Sequence, residues 1–416
     1  MMHELPEGWQ RQKLGEIAEI VGGSTPSKKV PEYWENGEVP WATPTDITKL
    51  PVGQRSIAAT ENRVTYAGLN ETSLRLLPPG AVLMTSRATI GYTAINEVPI
   101  TTNQGFANFL PYPETWASYL AYWLENSRET LRSISGGSTF LEVSKKSLKA
   151  LPIALPPLPE QKKIAEVLGS VDEAIAATKA VIDQTKQVKK GLLQNLLTKG
   201  IGHTKFKQTE LGEIPESWEI CTVREVLEVQ LGKMLSQKAK AGANPKPYLR
   251  NANVQWDRIE TDDVYEMDFV GHEIEKFRLK NGDLIVCEGG EVGRCAIWNS
   301  EDEMYYQKAL HRLRPRNGNV SSEFVKHVLT KIFRYGHDAK GIVGHNSIAH
   351  LTKKNLEAMK ILVPPHDEQL AINHDLATVE DEQIKSETIA AHLEILKSGL
   401  MSELLTGRKR VEVPDA

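Results

Sequence analysis

A wording repeated half a chain apart constrains this sequence more than any other feature. Leu155-Pro-Pro-Leu-Pro-Glu-Gln-Lys-Lys-Ile164 returns as Val363-Pro-Pro-His-Asp-Glu-Gln-Leu-Ala-Ile372. Pro156 matches Pro364 and Gln161 matches Gln369, a shift of 208 residues that also carries Gly191 onto Gly399 and Thr198 onto Thr406. A repeat this long makes each copy a structural unit, so two framework elements and two cores are expected.

The framework element reads as a long helix. Pro159 suits a first helical position, where its missing N–H is not needed, and Glu160 and Gln161 then fill the first turn. In the second copy Asp367 can cap and Glu368 follows. Gly200 and Gly407 stand where a left-handed residue ends a helix. A heptad seam drawn through positions 164, 168, 171, 175, 178, 182, 185, 189, 192 and 196 is apolar at seven of ten places, and the copy shifted by 208 is apolar at seven of ten. That supports an imperfect coiled coil, each helix running roughly 60 Å, with the other copy as the simplest partner. Lys189 and Lys397 break both seams at one matched place, and their ammonium groups are expected to snorkel to the surface. Gly191 and Gly399 each cost about 1 kcal/mol relative to alanine, which a close helix crossing or a tolerated surface position would explain.

With 416 residues, 40% hydrophobic and 25% charged, the chain has ordinary soluble composition. No apolar run approaches the ~20 residues of a membrane span, and the polar opening Met-Met-His-Glu-Leu-Pro-Glu-Gly-Trp is unlike a signal peptide. Three cysteines without a C-x-x-C read as packed, reduced thiols of a cytoplasmic protein. The formal net charge of −4 makes any nucleic-acid site a local patch.

The repeat extends beyond the helices. Leu5-Pro-Glu-Gly-Trp9 returns as Ile214-Pro-Glu-Ser-Trp218, with both tryptophans read as core anchors. A short amphipathic stretch follows (Leu14–Ile20; Val223–Val229), then a polar loop (Gly22–Lys28; Gly232–Lys238) and an extended segment (Val39–Thr43; Lys246–Arg250). Next come a Gly-initiated strand (Pro79–Met84; Asn281–Val286), a hairpin, a second strand (Asn103–Pro111; Tyr306–Pro315) and helices near 115–131 and 321–335. Each half closes with a Gly-containing loop (135–138; 341–345) and a lysine-bearing turn (144–147; 352–355). The shift drifts between 209 and 202, so insertions fall in loops while the framework stays aligned. The hairpin loops differ chemically: Thr85-Ser-Arg-Ala-Thr89 faces Cys287-Glu-Gly-Gly-Glu291. One scaffold with two different loops suits two readers of two different short targets.

Catalytic motifs do not emerge. There is no G-x-x-x-x-G-K-[ST] phosphate loop, and Gly289-Gly-Glu-Val-Gly293 lacks the spacing and βαβ setting of a dinucleotide fingerprint. The Pro-Pro pairs offer no polar group of the adenine-methyltransferase type, and Glu142-x-x-Lys145 reads as a solvated turn rather than a nuclease motif.

The repeated helix opening, Leu83-Met-Thr-Ser-Arg-Ala-Thr-Ile-Gly91, Thr102-Asn-Gln-Gly105 and the helix ends Leu196-Leu-Thr-Lys-Gly200 and Leu404-Leu-Thr-Gly407 together resemble the specificity subunit of type I restriction–modification enzymes. The resemblance spans nearly all of residues 4–407. It implies an α+β chain with two target-recognition domains related by pseudo-two-fold symmetry, separated by two long helices forming an antiparallel coiled coil. On that pattern residues 1–157 are the first recognition domain, 158–201 the central spacer helix, 202–365 the second domain, 366–407 the distal spacer helix and 408–416 a tail. It implies a non-catalytic reader of double-stranded DNA that binds two modification (methyltransferase) subunits and, through them, restriction subunits, without contact with a membrane. S-adenosylmethionine and ATP with Mg would serve those partners, leaving no cofactor and no metal to this chain. Glu288-Gly-Gly-Glu291 departs from the family wording, so the second loop's target is not that of the first.

Candidate DNA contacts follow from side-chain chemistry. Arg87 at a hairpin tip can reach guanine O6 and N7, with Thr85, Ser86 and Thr89 able to bond bases or phosphates. Asn103 and Gln104 suit adenine, or brace a turn. Glu288 and Glu291 can accept from cytosine N4, or remain solvated. Gln307, Lys308, His311, Arg312, Arg314 and Arg316 form the densest basic patch, with the three arginines on one strand face. Lys28, Lys29, Lys233, Lys238, Arg250, His345 and Asn346 complete the set. The rival readings are an enzyme with its own chemistry, a coiled-coil scaffold that never touches DNA, and a reader in a related methyltransferase–nuclease system.

Overall fold

The structure is a computed structural model that describes residues 5–136, 141–240, 242, 244–336 and 350–412. The chain divides into two compact units, Met1–Ile182 with Lys385–Ala416, and Asp183–Ile384. Each unit therefore holds one globular domain and a segment of both long helices.

In the first unit five strands, β1 (Ala18–Gly22), β2 (Ser56–Ile57), β3 (Val82–Thr85), β4 (Thr93–Asn96) and β5 (Phe106–Pro111), form a sheet in the order β1-β5-β3-β4-β2. The Gly-initiated strand lies at its centre with all four residues buried, as its near-continuous apolar run requires. Helix α1 (Ala117–Asn126) packs on the sheet and buries Tyr119, Leu120 and Leu124. A smaller three-stranded sheet pairs Val39–Ala42 with Asn62–Val64 and with Thr101–Thr102. The second unit repeats the scheme with β6 (Leu227–Leu231), β7 (Asp283–Cys287), β8 (Cys295–Trp298) and β9 (Leu310–Pro315) in the order β6-β9-β7-β8, covered by α3 (Ser322–Leu329). Its small sheet joins Pro245–Leu249 to Tyr265–Asp268 and Tyr305–Tyr306. The lysine-bearing turns are helices, Lys145–Ala150 and Lys353–Ala358, because Ser144 and Thr352 cap them by accepting a backbone N–H.

The long helices are α2 (Leu158–Lys199) and α4 (His366–Leu404). They run antiparallel: Asp172 meets Lys397 at 2.6 Å and Lys179 meets Glu394 at 2.6 Å in the first unit. Every seam position read from the heptads is buried or half-buried in both copies. Lys189 and Lys397 do not snorkel. Lys189 is 2% exposed and bonds Asp257 at 2.7 Å and Glu380 at 3.0 Å, while Lys397 turns inward to Asp172. Gly191 and Gly399 lie on open surface with nothing within 4 Å of an added Cβ, so no close crossing explains them.

The repeated Glu-Gln wording has a different reason from the helix dipole. Gln161 is fully buried. Its Oε1 accepts the Trp116 N–H at 2.8 Å, and its Nε2 donates to Glu114 O and Pro156 O at 2.9 Å. Gln369 repeats this with Ser321 N, Asn319 O and Pro364 O at 3.0, 2.7 and 2.9 Å. Glu160 accepts from the Trp9 indole at 3.1 Å and from Arg410; Glu368 accepts from the Trp218 indole at 2.9 Å and from His203 at 2.7 Å. Each pair thus nails the start of a long helix to its globular domain, with the tryptophans as core anchors. Asp367 lies inside the first turn of a helix that begins at His366, not at its cap.

Candidate DNA interface

In the first unit the glycine after β1 brings two loops together. Gly23 lies so close to the Thr102 and Asn103 carbonyls that a Cβ would collide with both. Gly232 occupies the matched place in the second unit, against the Gln307 carbonyl. Backbone approach of this kind is available only without a side chain. It sets the Thr25–Lys28 loop against Asn103 and Gln104, where the Thr25 hydroxyl donates to Gln104 Oε1. Asn103 Oδ1 accepts the Gly105 N–H at 2.8 Å and braces the turn.

A concavity of about 610 Å³ opens there, lined by Lys28, Trp34, Trp41, Asn62, Asn103 and Gln104 among others. The two tryptophans meet edge to face, centroids 4.9 Å apart, and their indole N–H groups are spent on Ser27 O and Ser24 O. What the pair offers the concavity is therefore aromatic surface. Gln104 also lines a second concavity of about 670 Å³ with Gly22, Gly23, Ser86, Arg87, Glu142 and Lys145. Together they make a polar groove across one end of the domain, in which Lys28, Arg87, Gln104 and Lys145 supply donors.

The hairpin between β3 and β4 holds Arg87 at this groove. Ala88 beside it has φ 55 and Gly91 φ 87; the matched Gly290 and Gly293 of the second unit have φ 74 and 78, so one hairpin geometry serves both units. Arg87 Nε lies 3.0 Å from the Glu142 carboxylate, and both side chains remain 42% exposed. Thr89 is exposed. Thr85 and Ser86 are corrections to the sequence reading: they are 0% and 2% exposed. The Thr85 hydroxyl is committed to the Thr89 carbonyl and the Tyr92 N–H, and Ser86 N–H to Gly105 O at 2.7 Å.

The second unit corrects more. Arg312 and Arg314 alternate along β9 while Arg316 lies just past its end, and their charges are used internally. Arg312 is 3% exposed and bonds Glu228 at 2.6 Å; Arg314 grips both oxygens of Asp283 at 2.7 and 2.6 Å; Arg316 donates to Leu227 O. His311 is fully buried with a nitrogen 2.7 Å from Leu351 O, and burial holds its pKa below the usual histidine value. Lys233 bonds Glu273 at 2.6 Å, and Arg250 bonds Asp263 at 2.7 Å while stacking 3.6 Å over Tyr265. None of these is a free phosphate contact. Glu288 is half-buried, with its backbone bonded to Ala309 O and Leu351 N; Glu291 is exposed and accepts from the Trp256 indole. Lys308 is exposed and Gln307 half-buried at the entry to β9. His345 and Asn346 lie outside the described residues, as does the Lys238 side chain.

Among the described residues no group of three or more His, Cys, Asp or Glu can hold a metal, and no helix is long and apolar enough to cross a membrane. All three cysteines are free thiols; Cys287 and Cys295 are buried, and burial pushes Cys287 up to about 11.

The groove residues that the sequence reading missed are Trp34, Trp41, Asn62 and Lys145. The lysine pair at 28–29 followed by Tyr33, Trp34 and Trp41 was the available signal for the two tryptophans.

Two domains on one scaffold, each held to a long helix by the same clamp, match a known family. The profile for the type I restriction modification DNA specificity domain matches twice, over residues 6–187 and 215–395. The chain belongs to the type I restriction–modification specificity-subunit family. It is 30% identical over 425 residues to the type I restriction enzyme MjaIX specificity subunit of Methanocaldococcus jannaschii, covering 98% of this chain and 95% of that one. It is 22% identical over 400 residues to the EcoKI specificity subunit of Escherichia coli, covering 89% and 81%. Among solved structures, the specificity subunit from M. genitalium superposes with a TM-score of 0.58 at 14% identity, covering 97% of this chain and 98% of that one. A chain from a type I restriction–modification assembly gives 0.62 at 17%, covering 98% and 100%. The protein is thus the DNA specificity subunit of a type I system, a non-catalytic component of the complex whose cofactors belong to its partner subunits.

Proposed function

We propose that this specificity subunit reads an asymmetric bipartite target in double-stranded DNA and presents it, in the cytoplasm, to two modification subunits that methylate adenine at N6. Restriction subunits join through them. The observation that carries the reading is the difference between two surfaces on one scaffold. The first groove offers Lys28, Arg87, Asn103 and Gln104 beside an aromatic pair, with Thr89 exposed on its hairpin; the second unit offers Glu288 and Glu291 on the matched hairpin and Gln307 and Lys308 at the entry to β9. Arginine and amide side chains suit guanine and adenine edges, and carboxylates suit cytosine N4, so the half-sites differ. On this proposal residues 1–157 and 202–365 are the readers, and 158–201 with 366–407 the spacer that keeps the unread gap constant.

Exposed apolar side chains on the helix pair support partner docking. Val181, Ile389, Ile395 and Leu396 are 43%, 51%, 69% and 50% exposed in the first unit, apolar surface that a partner subunit could cover.

The test is DNA binding by the assembled complex across salt concentrations. Binding to a target duplex that weakens steeply with salt supports the reading, because displaced counterions follow phosphate contacts. Assembly with modification subunits but no salt-dependent preference for any duplex supports the scaffold instead.

A further inference from the structure

The shift of 208 that aligns the clamps also carries Asp172 onto Glu380 and Lys189 onto Lys397. In the first unit Asp172, on α2 and 5% exposed, gathers Lys397 of α4 at 2.6 Å, Arg55 at 2.8 Å and the Tyr122 hydroxyl at 2.7 Å. Arg55 also bonds Glu125 at 2.7 Å and lies 3.7 Å over the Tyr122 ring. In the second unit Glu380, on α4, gathers Lys189 of α2 at 3.0 Å and Lys326 at 2.8 Å, while Lys189 reaches Asp257 at 2.7 Å. Three elements therefore meet at each acid: its own long helix, the opposite long helix and the globular domain.

The acid lies eleven residues beyond the clamping glutamine in both copies, from Gln161 to Asp172 and from Gln369 to Glu380. Three turns of helix put the two attachments about 16 Å apart. Between the two polar attachments Ile164 and Leu168 pack into the first domain's core and Ile372 and Leu376 into the second's, a non-directional contact to which the acid and its cations add a fixed direction. Stability is a poor reason for this arrangement, since well-packed apolar residues often replace buried ion pairs without loss, whereas a polar residue in a helix seam specifies register.

We infer that Asp172 with Lys397, and Glu380 with Lys189, are positioning residues: they form the second attachment of each recognition domain to the helix pair and so set how strictly the gap between half-sites is measured. This rests on the bipartite reading above.

The test uses the full chain in complex with its modification subunit. Lys189→Met and Lys397→Met, singly and together, are compared with the wild type and with Lys→Arg at both positions. Each lysine can be removed without stranding a charge, because Asp172 keeps Arg55 and Glu380 keeps Lys326. Methyl transfer from labelled S-adenosylmethionine is measured on duplexes carrying both half-sites with the native gap or a gap one base pair longer or shorter. The double Met variant is expected to lose at least tenfold of its preference for the native gap, with the half-site bases unchanged and the Arg variants restoring the preference. Single variants should lose about threefold, and they carry the test if the double variant does not assemble. Rates that fall by one common factor on all three duplexes would overturn the inference and leave these residues a purely structural role. A wild-type complex indifferent to the gap would overturn the bipartite reading itself.

Discussion

Replacing Gln161 by methionine keeps the volume of the side chain and removes all its hydrogen bonding. Three bonds disappear together: the one accepted from Trp116 N at 2.8 Å and the two donated to Glu114 O and Pro156 O at 2.9 Å. A typical intramolecular hydrogen bond contributes about 1 kcal/mol net, and a buried group left without a partner costs about 1–3 kcal/mol. The loss is therefore about 3 kcal/mol at least, rising to ~6 kcal/mol if two of the freed backbone groups stay dry. Gln369 makes the same three kinds of bond in the second unit, so Gln369→Met is expected to match Gln161→Met within about 1 kcal/mol, the additivity error of a single-site comparison being smaller. Urea unfolding of the full chain, read by hydrogen exchange in peptides covering residues 158–169 and 366–377, separates the two units. Each variant should destabilise its own peptide and spare the other. A loss below about 1 kcal/mol in either variant, or a loss spread equally over both peptides, would refute the account of the clamp.

Alanine at Gly23 should push the Thr25–Lys28 loop off Asn103 and weaken DNA binding by the complex through the first half-site alone, measured with duplexes mutated in one half-site at a time. Arg87→Ala and Gln104→Ala should each cost about 1–3 kcal/mol of discrimination at a base in that same half-site, seen as relaxed sequence preference in methylation assays. Acid should destabilise the second unit first. His311 and His327 are buried, and burial holds both below the usual histidine pKa, His327 further lowered by Lys326 and Lys189. A lowered folded pKa means the unfolded chain binds the proton more readily, so the stability these groups confer is present above about pH 6.5 and lost as pH falls below it, each at up to about 1.4 kcal/mol per pH unit. Melting curves from pH 8 to 5 check this, and a His327→Gln variant should show a shallower slope.

Much of the architecture was legible because it rests on local patterns. Every position of the heptad seam is buried or half-buried in both long helices, though Ala165, Leu193, Leu197 and Met401 join the cores from outside it, and the Gly-initiated strands and their hairpins fell where the shifted wording put them. Burial of charge was not legible. Lys189 looked like a flaw in an apolar stripe; its partner Asp257 comes from a loop 68 residues away, and no periodicity announces such a meeting. The basic run from Lys308 to Arg316 looked like a phosphate-binding strand, yet Glu228 and Asp283 on neighbouring strands neutralise its Arg312 and Arg314. The Glu-Gln pair was visible as a repeat, but its role as a clamp needed the carbonyls of Glu114 and Asn319, which sequence does not place. Arg87 and Gln104 remain accessible because a hairpin tip and a strand entry hold them there, a placement the turn residues around them made legible.

The central claim is that two unlike readers address one target across a constant gap. The most direct measurement is single-molecule methylome sequencing of a host without adenine methylation that expresses this chain with its cognate modification subunit. The expected result is one new N6-methyladenine motif with two unlike half-sites and a gap of fixed length. Abundant assembled complex with no new methylated motif, or a motif with a single uninterrupted site, would contradict it.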